Sequence, residues 1–175
     1  MASMQVGRGA CSDVKAKQMQ FGTRATMNNK TPSSLMTLDR CINWFGSPST
    51  GAFPDNIPNN ANSKFLHVRD GELGSMAAVQ YSSPPNESSF PCAWILAFYA
   101  PADNTSPSTP NRVYVACGTK ERMDLISWDQ ILQNLEEGST TSEAHDSYSK
   151  TSVDAQIYDP VPNTATLNAN FGFMA

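Results

Sequence analysis

Cys92-Ala-Trp-Ile-Leu-Ala-Phe-Tyr-Ala100 is the most apolar run of this 175-residue chain, and proline closes it on both sides, at Pro91 and Pro101. Nine residues held between prolines are too few for a core helix. The aromatic and branched content instead suits a central strand covered on both faces. Downstream, after a loop rich in Pro, Ser and Asn, Arg112 to Cys117 sets Val113, Val115 and Cys117 against Arg112, Tyr114 and Ala116, which is the period of a second strand.

Upstream, the Ser82–Ser89 segment SSPPNESS reads as a loop tip that ends a strand over Met76–Tyr81. Asp70-Gly-Glu-Leu-Gly74 carries turn chemistry that predicts a hairpin between Lys64–Arg69 and Met76–Tyr81. Further back, Met36, Leu38, Ile42 and Trp44 share one parity, interrupted by Arg40, and predict one long strand with a single polar position. Gly46–Asn60 is dense in Gly, Pro, Ser and Asn and reads as loop. On the C-terminal side, Ser127 and Gln130 form a capping box, Ile126 and Ile131 are spaced as a hydrophobic staple, and Trp128, Ile131, Leu132 and Leu135 make an apolar stripe that Gly138 ends. This is the one firm helix. Beyond a Ser/Thr-rich loop, Ser152–Tyr158 and Ala165–Phe173 read as closing strands, the last with Leu167, Ala169, Phe171 and Phe173 inward and Thr166, Asn168 and Asn170 outward.

Seven or eight strands, one firm helix, no internal repeat and turn clusters between most strands predict a mainly β protein, a β-sandwich with one or two helices on its flank. Residues 31–175 form the single domain in this reading. Residues 1–30 form a basic arm, because Arg8, Lys15, Lys17, Arg24 and Lys30 face the single acid Asp13 there, while the remainder is acidic. Within the arm only Ser12–Phe21 has helical spacing, with Ser12 as cap, and it is short and weakly amphipathic.

Charged residues make up 16% of the chain, so Ser, Thr, Asn, Gln, Gly and Pro carry much of its surface. An acidic body repels phosphate and argues against nucleic acid. Cys11, Cys41, Cys92 and Cys117 match no zinc or redox spacing, and no metal or cofactor is expected. The N-terminus lacks the apolar stretch of a signal peptide, so synthesis in the cytoplasm with reduced thiols is expected, with release to act at cell surfaces left open. The sequons at Asn29, Asn86 and Asn104 are then accidental. His67, mid-strand beside Phe65, reads as structural. His145 has no nucleophile motif near it, Gly118–Lys120 reads as a turn, and the acid pairs Asp70/Glu72 and Glu136/Glu137 fall in a turn and at a helix end. The residues therefore predict no enzyme.

Taken in order, Lys64-Phe-Leu-His-Val, the Gly71–Tyr81 segment, Trp94-Ile-Leu-Ala-Phe-Tyr-Ala-Pro101, Asn111-Arg-Val-Tyr-Val115 and the helix ending Leu132-Gln-Asn-Leu135 resemble the core of the actinoporin-like superfamily over roughly Phe45 to Leu135. The likeness is nearer to its non-toxin members, the nakanori-type sphingomyelin/cholesterol-binding proteins and the plant jasmonate-induced proteins. It implies an actinoporin-like β-sandwich that recognises phosphocholine head groups of membrane lipids, sphingomyelin or sphingomyelin with cholesterol, as a peripheral binder. Carried over by position, the implied head-group site comprises Ser47, Met76 or its neighbour Ala77, Tyr99, Pro101, Trp128, Leu132 and Gln133, with Asn111 and Tyr114 as further contributors. Trp128, Tyr99 and Tyr114 would face the ammonium, and Ser47, Gln133 and Asn111 would bond the phosphate.

Two departures from the toxins bear on mechanism. The Ala102–Pro110 loop, ADNTSPSTP, has no aromatic to enter a lipid interface, and Ser12–Phe21 is too short and polar to line a pore across roughly 30 Å of hydrocarbon. Binding without strong lysis is the expectation. A glycan-binding, lectin-like defence or stress protein is the alternative that the polar loops allow, and a pore-forming cytolysin is the third.

Overall fold

Trp94, Leu96 and Phe98 alternate with Ala93, Ile95 and Ala97, and all six side chains are inaccessible to solvent. Such a strand needs apolar cover on both sides, and this is what surrounds it in a computed structural model that describes residues 21–85, 90–103, 109–161 and 163–174. The elements run β1 (Gly22–Asn29), β2 (Met36–Phe45), β3 (Ser47–Pro48), β4 (Asn56–Ile57), β5 (Ala61–Val68), β6 (Ser75–Ser83), β7 (Cys92–Ala100), β8 (Arg112–Thr119), α1 (Lys120–Asp124), α2 (Trp128–Glu136), β9 (Thr141–Asp146), β10 (Thr151–Val161) and β11 (Thr164–Phe173). One sheet has the order β3-β5-β1-β11-β10-β9 and the other β4-β2-β6-β7-β8. The fold is the expected sandwich.

Between the sheets, Trp94, Leu96 and Phe98 of β7 meet Met27, Tyr81, Ile157, Leu167 and Phe171. Large aromatics with polar tips go inside because those tips find acceptors: Trp94 Nε1 donates to Ser152 O at 3.0 Å and Tyr81 Oη to Pro54 O at 2.6 Å. On the other face of β7, Ala93, Ile95 and Ala97 leave room for Ile131 and Leu135 of α2. Helix α2 starts where its cap lies, with Ser127 Oγ accepting from Gln130 N–H at 3.2 Å.

Several elements depart from the sequence reading. Strand β1 lies within the stretch that shows no apolar period, because two of its inward positions are polar. Thr23 Oγ1 lies 2.9 Å from Ser75 Oγ, and buried Asn29 donates to Ser34 O and Ile57 O at 2.8 and 2.9 Å while its Oδ1 accepts from Thr31 N–H. This consumes the amide of the Asn29 sequon, so that sequon serves as a structural clasp. Asn86, Asn104 and Ser12–Gln20 lie outside the described residues. Strand β1 pairs with β5 antiparallel and with β11 parallel, Gly22 opposite Thr164 and Asn29 opposite Phe171.

The expected hairpin between β5 and β6 is not one. The two strands belong to different sheets, and Asp70–Gly74 is the corner between them, closed by Asp70 N–H donating to Gly74 O at 2.8 Å. Turn residues mark a reversal but not whether the strands pair across it. Gly74 has φ +97° there, and a Cβ on it would fall 2.4 Å from Ala100 O. Strand β9, read as loop, is an edge strand with a polar half-buried pattern, α1 follows β8 where a turn was expected, and the Gly46–Asn60 loop contains the two-residue strands β3 and β4.

Strand β2 is not uniform. Met36 and Leu38 face the inter-sheet core, but register shifts at Leu38/Arg40 and Asn43/Phe45 rotate the strand, so Ile42, Trp44 and Phe45 all face α2. Arg40, the polar interruption, is pinned there. Its Nε donates to Gln80 Oε1, and its Nη2 lies 2.9 Å from both Met123 O and Ile126 O, which ties the α1–α2 corner to the sheet.

Candidate functional site

The second bulge of β2 sets up an aromatic-lined hollow. By placing one extra residue opposite Met76, it turns adjacent Trp44 and Phe45 to the same side of the sheet. The ladder then lines up Phe45, Met76, Tyr99 and Arg112 as successive partners across β2, β6, β7 and β8. With Trp44 beside this row, Leu132, Leu135 and Glu136 of α2 above it and Thr109 at its rim, the row floors an open hollow of about 490 Å³. Phe45 and Tyr99 have ring centroids 6.5 Å apart, tilted by 58°, and form two walls of it.

Arg112 is the cationic group of this hollow. One Nη donates to Glu136 O at the C-terminal end of α2, while Nε is buried with no partner. The described residues place no carboxylate within ion-pair distance of it. A half-buried guanidinium without a counter-ion beside aromatic rings is a vacancy for an anion. Glu136, exposed on α2 beside Arg112, also lines the hollow and supplies acceptor oxygens.

The nine residues singled out from the resemblance separate. Met76, Tyr99 and Leu132 line the hollow together. Ser47 is exposed on β3 opposite Val68, and Gln133 is exposed on α2. Pro101 borders a much smaller depression with Gly22, Arg69 and Asn163. Asn111 is buried and donates to Asp159 Oδ2 at 2.6 Å. Tyr114 packs under α2, where burial pushes its phenol up and a bond to Asn134 opposes that. Trp128 already has a cation, for the Arg40 guanidinium carbon lies 4.5 Å from its ring centroid and Trp44 meets it edge-on. The sequence reading missed Trp44, Phe45, Thr109, Arg112, Leu135 and Glu136 as lining residues; the adjacent aromatics Trp44-Phe45, which break the alternation of β2, were the signal.

His67 is a structural residue, as read. Its Nε2 lies 2.9 Å from Asn43 Oδ1, which can only accept, so Nε2 carries the proton and Nδ1 accepts from Ser75 Oγ at 2.9 Å. Stacked on Phe53 and cut off from solvent, it has a pKa lowered to about 4 by burial. Cys41 and Cys117 stand as free thiols. Among the described residues no cluster of three or more His, Cys, Asp or Glu side chains could hold a metal ion.

Over 155 residues the chain is 37% identical to the jasmonate-induced protein homolog of Atriplex canescens, an alignment covering 89% of this chain and 82% of that one. The chain belongs to the jasmonate-induced protein family. No family model matches the chain. Among solved structures, the lipid-binding protein Nakanori is similar with a TM-score of 0.71 over 87% of this chain and 71% of its own, at 16% identity. The Xerocomus chrysenteron lectin XCL is more distant, with a TM-score of 0.49 and 11% identity over 85% of this chain and 98% of the lectin. The family member described here thus has the fold of Nakanori, as the motif order from Phe45 to Leu135 implied.

Proposed function

We propose that the hollow floored by Phe45, Met76, Tyr99 and Arg112 binds the phosphocholine head group of a membrane lipid, sphingomyelin alone or with cholesterol, and that the protein acts as a peripheral lipid binder without catalysis. The observation that carries this is the Arg112 guanidinium, which has no carboxylate partner among the described residues and stands at the end of an aromatic row. A zwitterion fits that arrangement, its phosphate meeting Arg112 and its quaternary ammonium lying over Phe45 and Tyr99. The Arg112 site replaces the hydroxyl and amide donors that the resemblance implied for the phosphate. That a protein of the same fold is a lipid-binding protein supports the reading.

Phosphocholine is common to sphingomyelin and phosphatidylcholine, so a preference must come from the region beneath it. Sphingomyelin offers a hydroxyl and an amide N–H where phosphatidylcholine has only ester acceptors. The Glu136 carboxylate, which only accepts, rewards the donors and rejects the esters. No helix among the described residues is long and apolar enough to cross a membrane, and the proposed role is binding without lysis.

Flotation with sphingomyelin/cholesterol and phosphatidylcholine vesicles tests this directly. The expected result is co-flotation with the first, little with the second, and no dye release from either. Arg112→Gln removes a charge-assisted contact of about 1.5–3 kcal/mol and should weaken binding roughly 10- to 100-fold. Equal flotation with both vesicle types, or an Arg112→Gln protein that floats like the parent, refutes the reading.

A further inference from the structure

A second hollow of about 510 Å³ lies between Phe90, Pro91, Thr119, Lys120, Glu121, Arg122, Asp124 and Tyr148. The β7–β8 ladder fixes its place. Cys92 pairs with Thr119 at this end and Tyr99 with Arg112 at the other, so about 24 Å of strand separates the two hollows. We propose that this second hollow binds the pyranose ring of a neutral glycan.

The platform comes first. Tyr148 is 65% exposed and Phe90 38%, large values for aromatics, and their rings stack at 5.2 Å with 27° between planes. The pair closes on itself, so it forms no cage around a cation. It presents a flat, open phenol face, which suits the C–H face of a sugar ring. The turn that carries Tyr148 is fixed: Asp146 Oδ2 accepts from Ser149 N–H at 2.9 Å, and Asp146 Oδ1 is held by Arg122 at 2.8 Å. A rigid platform loses little freedom when a ligand lands on it.

The charges decide the ligand class. Both cations of the hollow are already neutralised, Lys120 by Asp39 at 3.2 Å and Asp124 at 2.8 Å, and Arg122 by Asp146. With Glu121 added, acids outnumber bases, which turns away phosphate, sulfate and nucleic acid. The rim that remains alternates donors (Lys120 Nζ, the Arg122 guanidinium) with acceptors (Asp124, Glu121). A hydroxyl both donates and accepts, so a row of neighbouring sugar hydroxyls matches such a rim, and the Asp124 and Glu121 carboxylates have lone pairs to spare.

The test is a ¹H–¹⁵N NMR titration of the full chain with methyl glucoside, methyl galactoside and methyl mannoside, with choline chloride and inorganic phosphate as separate arms. The expected result is saturable shifts confined to Phe90, Thr119–Asp124 and Tyr148 for at least one pyranoside, with a Kd on the order of 1–10 mM. Tyr148→Ala should weaken that binding at least about tenfold, because the platform supplies the burial, while Tyr148→Phe, which keeps the ring, should retain it. Absence of shifts at these residues with all three sugars, equal shifts there with choline or phosphate, or unchanged sugar binding in Tyr148→Ala would each overturn the proposal. Tyr148→Ala should leave flotation with sphingomyelin/cholesterol vesicles unchanged, so this site and the Arg112 site fail or stand separately.

Discussion

Acid should weaken this fold through one buried histidine. His67 is neutral in the folded state, with a pKa of about 4, against 6.5 for an ordinary histidine. The folded protein therefore binds fewer protons than the unfolded chain between these values. Its stability is complete above pH 6.5 and falls as pH drops toward 4. Integrated from pH 7.5 to 4.5, the two pKa values give a loss of about 2.5 kcal/mol, a large share of a typical domain's 5–15. Asp124 and Asp146, held low by Lys120 and Gln80 and by Ser149 and Arg122, lose their contributions only at more acid pH, which leaves this window to the histidine.

Urea unfolding followed by tryptophan fluorescence at half-unit steps would show the midpoint falling over this window at constant m-value. In His67→Gln, whose amide can still donate toward Asn43, the absolute stability drops but the acid slope should vanish. Should that variant not fold, the His67 ring resonances of the parent serve instead and should stay untitrated down to pH 5. A slope that persists in His67→Gln, or a His67 that titrates near 6.5, would refute the argument.

Other perturbations follow from single contacts. Asn29→Ala strips partners from Ser34 O, Ile57 O and Thr31 N–H and should lower unfolding free energy by about 3 kcal/mol, read as a drop in urea midpoint. Gly74→Ala combines a left-handed φ with a Cβ 2.4 Å from Ala100 O, and should lower Tm by more than about 8 °C in calorimetry. Arg40→Met removes the bonds to Met123 O and Ile126 O and the cation over Trp128; amide exchange should accelerate across Lys120–Glu136 far more than in β7.

What could be read from residues alone was whatever declares itself locally. The β7 run between prolines, the alternation of β11 and the Ser127 cap each carry their structure in a few neighbouring positions. Strand β1 stayed hidden because its inward positions include Thr23 and Asn29, whose burial is made tolerable only by Ser75, Ser34 and Ile57 far along the chain or across a loop. The β5–β6 corner looked like a hairpin because turn residues do not record which sheet a strand enters. The hollow was half legible: Met76, Tyr99 and Leu132 came through the resemblance, but Arg112 joins Phe45, Met76 and Tyr99 only once strand order and the β2 bulge are known. Trp128 illustrates the opposite error of scale, an aromatic face that looks available until Arg40 is found lying on it.

The parallel pairing of β1 with β11 gives the larger sheet a latch made from its first and last strands in chain order. While the ribosome is still at work, β1 has emerged but its neighbour on one side has not, and that edge stays bare until residues 164–173 clear the exit tunnel. A chain that stalls before β11 leaves a raw strand edge and the underside of Tyr81 and Trp94 open to chaperones.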